Sequence, residues 1–362
     1  MVDGITRRAL LAVLPGGLAA ASTVQPKKPL PVAQPGEFVR FIDPATETTV
    51  VRLTSPVSTS LLPAPGNRFI SSKRRFLIFA SDRTGKATPF QLDLRTGRLR
   101  QLAQTENLLP HSLCMDETQR FLYLLDRTTL TELSLANLKI RTLGEEISAF
   151  SSVKSGSEIV IVKQGRLARL SDPSTVLADG LASSVIPLIR PNGTGCFFSR
   201  EVSVGDREFW YVSFNIAGSK PILLAKGSIS NPLWSPDSSS LLFLRNVQTN
   251  VVVSELHEVL PETSVERRLA STSQFAAFAP NGDASVFVGA SRSKAQPNIV
   301  LLLRSVQREL TLCEHRASQP SGVSPVFSPD SRRVYFQSDH QGKSALYSVN
   351  VETLVEPTPA YA

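Results

Sequence analysis

The apolar residues of this chain fall in short runs that are separated by polar, turn-forming residues. The runs are rich in Val, Leu, Ile and Phe, and no segment keeps a 3.6-residue hydrophobic period for long. Short apolar runs bounded by turn signals predict β-strands rather than helices. The 20 glycines and 25 prolines among 362 residues agree with many strands joined by tight turns.

One pattern of about ten residues returns along the chain. An aromatic or aliphatic residue is followed by Ser-Pro-Asp, Arg-Pro-Asn or a variant, and then by an apolar run. The copies begin at Ile70, Leu113, Val153, Ile189, Trp234, Phe278 and Phe327. Their spacings of 43, 40, 36, 45, 44 and 49 residues match the roughly 40–50 residues per blade of propeller repeats.

Each repeat predicts one blade of four antiparallel strands. Such a blade cannot bury both of its faces alone, and radial packing of blades solves this problem. We therefore predict an all-β fold, a seven-bladed β-propeller of four-stranded antiparallel blades. The segment Thr48–Thr54 resembles the outer strand of a blade but precedes the first complete repeat. We expect it to pair with Ala345–Val349 and to close the ring as an N-terminal strand.

The N-terminus predicts export. Arg7 and Arg8 precede a short apolar stretch from Ala9 to Ala21 that is too short to span a membrane. Residues 1–22 are interpreted as a signal peptide of the twin-arginine type, and a Sec signal with an incidental arginine pair is the alternative. Residues 23–36 are proline-rich and predict a linker. Residues 37–362 then form a single domain, located in the periplasm or outside the cell.

The formal charge of +8 permits an anionic partner. The basic residues are scattered, however, and the clusters Lys73-Arg74-Arg75 and Arg332-Arg333 fall in predicted tight turns. Solvated turn charges explain them better than a binding patch, and no nucleic-acid partner or transmembrane segment is expected. The three cysteines, an odd number, allow at most one disulfide bond.

Two sets of motifs resemble known families. The Ser-Pro-Asp-Gly-type turns resemble those of TolB-like propellers. The segments Val51-Arg52-Leu53-Thr54, Phe79-Ala-Ser-Asp-Arg-Thr-Gly85 and Leu92-Asp-Leu-Arg-Thr-Gly97 are similar to the first blades of oligogalacturonate lyases. Those lyases are seven-bladed enzymes that split pectin fragments by β-elimination with a divalent metal such as manganese. The resemblance is close over residues 40–145 and loose elsewhere, so it implies the fold more specifically than the activity.

Few of that family's metal ligands carry over. The family has a glutamine and two histidines before the last Pro-x-Phe-Ser-Pro-Asp motif, and here these positions hold Gln319, Gly322 and Ser324. A histidine in a middle blade is matched by Asn231, and the remaining ligand histidine has no counterpart. We therefore expect no metal site and no cofactor. Manganese or another divalent metal is expected only if the chain is a lyase.

We expect ligands to meet the heads of the inner strands around the central channel. His111 and Arg190 are the candidate catalytic residues, a base for a β-elimination and a clamp for a uronate carboxylate. The candidate ligand-binding residues are Arg68, Asn231, Gln274, His315 and Gln319. His315 and Arg68 are second choices for the base and the clamp. The alternative is that these polar side chains only line a water-filled channel.

Two functions from different classes remain. The first is an exported TolB-like propeller that binds an acidic oligosaccharide or a protein at the channel mouth without catalysis. The second is a divergent polysaccharide lyase that cleaves oligogalacturonides by β-elimination. Loss of the histidine pair favours the first function, and the resemblance of the first blades supports the second.

Overall fold

The computed structural model describes residues 34–153, 158–182, 185–216, 218–248, 252–272 and 275–358. These residues form seven antiparallel sheets that follow one another as the blades of a β-propeller, which confirms the predicted fold class. Helices within them are limited to two 3₁₀ turns, Pro110–Ser112 and Pro320–Gly322. None is long and apolar enough to cross a membrane. The predicted signal peptide and all but the end of the linker lie outside the described residues.

Strands are numbered in chain order, and β1 (Val39–Ile42) and β2 (Thr49–Arg52) precede the first blade. Blade 1 contains β3 (Ser60–Leu61), β4 (Phe76–Ser81), β5 (Thr88–Asp93) and β6 (Leu99–Gln101). Blade 2 contains β7 (Cys114–Met115), β8 (Phe121–Asp126), β9 (Thr129–Ser134) and β10 (Ile140–Gly144). Blade 3 contains β11 (Ile147–Ser152), β12 (Ile159–Lys163), β13 (Arg166–Arg169) and β14 (Val176–Ala178).

The later blades repeat this order from the inner to the outer strand. Blade 4 contains β15 (Leu188–Ile189), β16 (Gly195–Ser203), β17 (Asp206–Ser213) and β18 (Ile222–Gly227). Blade 5 contains β19 (Ile229–Trp234), β20 (Leu241–Gln248), β21 (Val252–Leu260) and β22 (Val265–Thr272). Blade 6 contains β23 (Phe275–Pro280), β24 (Val286–Ser291), β25 (Asn298–Leu303) and β26 (Arg308–Glu314).

Blade 7 closes the ring with strands from both ends of the chain. It contains β27 (Val326–Phe327), β28 (Arg333–Ser338) and β29 (Ala345–Asn350), followed outward by β2 and β1. Val50 pairs with Val349 and Arg52 with Tyr347, which confirms the predicted closure. The sheet has five strands rather than four, because β1 continues outward from β2 as a hairpin.

The second strand of each blade is the most apolar. In β4, Leu77, Ile78 and Phe79 are fully buried because both faces of the strand pack against neighbouring blades. A strand buried on both faces is an uninterrupted apolar run rather than an alternating one. Each such side chain contributes about 1.5–3 kcal/mol through burial. The outer strand β10, in contrast, is largely exposed, so the core lies between the inner and middle strands.

The same six-residue turn joins the first and second strands of the six blades whose turns the structure describes in full, and in blade 3 Val153 and Glu158 form the corresponding hydrogen bond. Its first backbone N–H donates to the carbonyl oxygen five residues later, for example from Ser235 to Ser240 at 2.8 Å. Its fourth residue has a left-handed backbone, with φ of 64° at Ser238, the conformation that glycine adopts most readily. The Asp237 carboxylate accepts the Ser239 N–H at 3.0 Å. The aspartate side chain therefore caps the turn.

The hydrogen bonds of this turn correct three starting points of the repeat. The turn begins at Asp116 in blade 2, at Val153 in blade 3 and at Asn281 in blade 6. The structural repeats of blades 2 and 6 therefore begin two residues after the positions chosen from sequence, and that of blade 3 begins one residue before. In blade 6 the error arose because an aromatic residue before Ala-Pro-Asn resembles the repeat in letters but does not occupy the same place in the strand.

The three cysteines are buried and unpaired. Cys196 and Cys313 lie inside blades 4 and 6, and desolvation raises the pKa of both thiols above its ordinary value. Cys114 lies at the inner strand of blade 2.

Candidate functional site

The channel at the centre of the ring has two distinct ends. Each inner strand runs into the six-residue turn described above, and residues at these seven turns surround one cavity. We call this side the turn end of the channel. The side on which the inner strands begin is called the head end.

A segment of blade 1, Leu62–Phe69, leaves the sheet and enters the channel. It interrupts the inner strand, which pairs with β4 before it at Leu61 and after it at Ile70. The Asn67 side chain donates hydrogen bonds to the carbonyl oxygens of His111 at 2.9 Å and Leu113 at 3.1 Å. These contacts fix the segment against blade 2. We call Leu62–Phe69 the plug.

The plug reaches across the channel to blades 4 and 5. A β carbon placed on Gly66 would lie 3.5 Å from the Leu233 side chain and 3.9 Å from that of Leu188. Asn67 lines the cavity at the turn end and also a small cavity beside His111. The plug therefore lies across the channel between its two ends.

The cavity at the turn end has a volume of about 270 Å³. Its walls are mostly apolar and include side chains from every blade. One lining residue from each blade in turn is Ile70, Met115, Val153, Leu188, Trp234, Pro280 and Phe327. The prolines of the repeated turns therefore form part of a binding-sized cavity in addition to ending the strands.

Trp234 is held rigidly in this wall. Its indole N–H donates to the Leu188 carbonyl oxygen at 3.0 Å, and its ring meets that of Tyr211 edge to face at 5.9 Å. The Arg190 guanidinium lies 5.6 Å from the indole ring centre, within the range of a cation–π contact. A fixed aromatic ring with one apolar face is a suitable platform for a planar ligand.

Arg190 is already committed to protein partners. Its Nε donates to the Ser238 carbonyl oxygen at 2.6 Å, and its Nη1 forms an ion pair with Glu262. Burial opposes its charge, but hydrogen bonds to Glu262 and Tyr211 more than compensate, so the pKa of Arg190 is raised. These bonds connect blades 4 and 5 and leave Arg190 a structural role.

Arg68 differs from Arg190 in having no acidic partner. It lines the cavity, and its Nη1 donates to the Glu117 carbonyl oxygen at 3.1 Å. Within the described part of the chain it forms no ion pair. A half-buried guanidinium with free N–H groups favours a carboxylate or another planar anion.

His111 lies on the head side of the plug in the 3₁₀ turn Pro110–Ser112. Its side chain is exposed, and its ring has no hydrogen-bond partner among the residues that the structure describes. It borders a small cavity of about 20 Å³ with Phe150 and Pro187. Desolvation lowers the pKa of His111, which favours the neutral imidazole.

His315 is fully buried between blades 6 and 7. Its Nδ1 accepts the Ala317 N–H at 3.0 Å, and its Nε2 donates to the Ser291 carbonyl oxygen at 2.9 Å. This pair of bonds requires the neutral tautomer, and burial lowers the pKa of His315 accordingly. Both ring nitrogens are occupied, so His315 fixes the loop and contacts no open cavity.

The remaining candidates are dispersed. The Asn231 side chain donates to the Ala276 carbonyl oxygen at 2.7 Å, which joins the inner strands of blades 5 and 6. Gln319 is exposed and precedes the 3₁₀ turn Pro320–Gly322, and Gln274 lies outside the described residues. No group of three His, Cys, Asp or Glu side chains among the described residues is placed to hold a metal ion.

The structure corrects the common placement of the candidates. His111, Asn231 and Gln319 lie toward the head end, whereas Arg68 and Arg190 lie at the turn end. The sequence placed Arg68 at the head of the first inner strand. Because the plug interrupts this strand, Arg68 lies near the end of the plug and therefore at the turn end. Arg190 is the first residue of the turn in blade 4.

Sequence reasoning missed the plug and the role of Trp234 in the cavity. The signal for the plug was Pro63-Ala-Pro-Gly66, a rigid and small-sided run where an inner strand was expected. Prolines lack the N–H that a strand needs and rarely occupy its interior. Trp234 was identified only as the start of a repeat.

Comparison with solved structures shows the same ring. An oligogalacturonate lyase in complex with manganese superposes with a TM-score of 0.79 and 20% identity, over 89% of this chain and 98% of that one. The oligogalacturonate lyase of Vibrio parahaemolyticus superposes with a TM-score of 0.79 and 18% identity, over 90% of this chain and 100% of that one. The hydrazine synthase of Kuenenia stuttgartiensis superposes with a TM-score of 0.53 and 13% identity, over 79% of this chain and 95% of that one.

These likenesses define the class of this protein as a seven-bladed β-propeller. The resemblance to oligogalacturonate lyases expected from the first blades is confirmed at the level of the fold. No family model matches the sequence, and no curated protein sequence matches it either.

Proposed function

We propose that this chain is a ligand-binding β-propeller whose binding site is the cavity at the turn end. The observation that carries this proposal is that all seven blades line one cavity of about 270 Å³. Sites for small molecules are concave and mostly apolar, with a few polar groups that orient the ligand. Trp234 and Phe327 supply apolar walls here, and Arg68 supplies a charge.

The cavity favours a smaller ligand than the acidic oligosaccharide or protein expected from sequence. Its walls offer few hydrogen-bonding groups to sugar hydroxyls, and the side chains of Ser151 and Asn281 already accept backbone N–H groups. A compound with a compact apolar body matches the lining better. No metal or other cofactor is part of this proposal.

Binding of naphthalene-sized compounds tests the proposal. The chain has two tryptophans, and Trp234 lies in the cavity wall whereas Trp210 does not line it. We expect 2-naphthoate to change the tryptophan fluorescence saturably, and the change to disappear in Trp234→Phe while calorimetry still detects binding. An absence of saturable binding by either method would contradict the proposed function.

A polysaccharide lyase is the second candidate, favoured by the backbone similarity to oligogalacturonate lyases. One of those structures contains manganese. The residues of this chain at the positions expected to bind it do not fit such a site. Gln319 offers an amide, Ser324 a neutral hydroxyl and Gly322 no side chain, all weaker ligands for a divalent metal than imidazole.

Incubation with oligogalacturonides, with and without manganese, separates the two candidates. β-Elimination creates a conjugated product that absorbs in the ultraviolet, and we expect none. Turnover that a chelator abolishes would contradict our assignment of the metal positions. Turnover that survives the chelator but is lost in His111→Ala would instead indicate a metal-free lyase at the head end.

Export by the twin-arginine route is also proposed, on the basis of the first 22 residues alone. Replacement of Arg7 and Arg8 by Lys should block export if that route is used. Unchanged export of the double variant would favour the Sec route.

A further inference from the structure

We propose that the cavity at the turn end binds an organic carboxylate with a bulky apolar body, and that Arg68 pairs with its carboxylate. This inference rests on the proposed function and specifies the chemistry of the ligand. Its basis is the combination of an apolar cavity with one cation that lacks an acidic partner.

The volume of the cavity limits the size of the ligand's apolar body. A buried cavity of about 150 Å³ lined by aliphatic and aromatic side chains holds one benzene molecule. The cavity of this chain, at about 270 Å³, has room for two fused rings or for one ring with a short chain. The indole of Trp234 gives such rings a fixed surface on which to stack.

The charged residue in the cavity wall indicates which polar group the ligand carries. Most arginines near the turns are paired: Arg190 with Glu262, and Arg74 with Asp330 at 2.6 Å. Among the residues that the structure describes, Arg68 is the one arginine that lines the cavity, and its guanidinium donates to a backbone carbonyl oxygen and to no acidic side chain. A carboxylate can accept two parallel N–H bonds from a guanidinium, and these bonds strengthen where water is partly excluded.

The experiment compares three probes by calorimetry on the full chain. These are 2-naphthoate, its neutral analogue 2-naphthalenemethanol, and acetate, which has the charge without the rings. We expect naphthoate to bind about 10- to 100-fold more tightly than the alcohol, the range for a charge-assisted hydrogen bond. Acetate should show no saturable binding at the same concentrations.

Arg68→Gln should remove the preference for naphthoate and leave the affinity for the alcohol within about 2-fold. Arg75→Gln is the matched control, because Arg75 is an exposed arginine in the adjoining turn that does not line the cavity. Equal affinities of naphthoate and the alcohol, or a preference that persists in Arg68→Gln, would overturn this inference alone. Failure of all three probes to bind would overturn the proposed function as well.

Discussion

The two ends of the channel differ in how their polar groups are satisfied. Toward the head end, His315 and Asn231 bond to backbone groups of neighbouring blades and hold loops and strands together. At the turn end, the walls are prolines and aromatic rings, and Arg68 has no acidic partner. His315 and Asn231 at the head end therefore serve the structure, whereas Arg68 at the turn end is available to a ligand.

This difference shows that polarity alone does not locate a binding site in a propeller. One of the candidate histidines, His315, is fully buried between blades 6 and 7. The plug lies between His111 on the head side and the cavity at the turn end.

The largest expected effect is on the buried histidine. His315→Leu leaves the Ala317 N–H and the Ser291 carbonyl oxygen without partners in a buried site, and each loss costs about 1–3 kcal/mol. We expect the free energy of unfolding to fall by about 3 kcal/mol, measured by urea denaturation. His111→Leu, at an exposed position, should change it by less than about 0.5 kcal/mol. Equal effects of the two substitutions would remove the distinction between them.

Removal of the Asn67 side chain that fixes the plug should cause the next largest loss of stability. Asn67→Ala removes the two side-chain hydrogen bonds to the carbonyl oxygens of His111 and Leu113, while the His111 carbonyl oxygen keeps the Ala64 N–H. The expected cost is about 2 kcal/mol. We expect this loss in urea denaturation, together with faster hydrogen exchange in the plug. Asn137→Ala, on an exposed turn, is the matched control and should cost only a few tenths of a kcal/mol. A plug that exchanged at the same rate in both variants would not depend on Asn67.

The smallest effect is the pH dependence of stability. Burial lowers the pKa of His315 below its ordinary value, so below about pH 6.5 the unfolded chain binds a proton that the folded chain does not. This contribution to stability is complete above pH 6.5 and is lost as the pH falls toward the folded pKa, by at most about 1.4 kcal/mol per pH unit. His315→Leu should reduce the slope by that amount. A slope that is identical in the variant would show that other groups cause it.

The fold could be predicted from the sequence because each blade carries its own turn chemistry. Ser235-Pro-Asp237 places a capping hydroxyl and a capping carboxylate next to the residue that adopts a left-handed backbone. These are local interactions, and they repeat with the blade. The closing strand was predictable for the same reason, since Asp43 caps its turn as Asp93 does in blade 1.

The site could not be predicted in the same way. Arg68 is at the turn end only because the plug takes up the length of chain before it, and Gly66 reaches Leu188 and Leu233 from a distant blade. His315 is buried by the packing of blades 6 and 7, which no local pattern records. Contacts between residues far apart in sequence decide these features.

The pairing of β2 with β29 gives the ring a timing constraint. The two strands come from opposite ends of the chain, so an elongating polypeptide must hold β2 without its partner until nearly all blades are made. At roughly 5–20 residues per second, synthesis of the intervening chain lasts on the order of tens of seconds. During that interval the edge of β2 that later pairs with β29 has no partner, and this edge is open to wrong pairing. The pairing of β2 with β29 closes the ring and also removes this exposed strand edge.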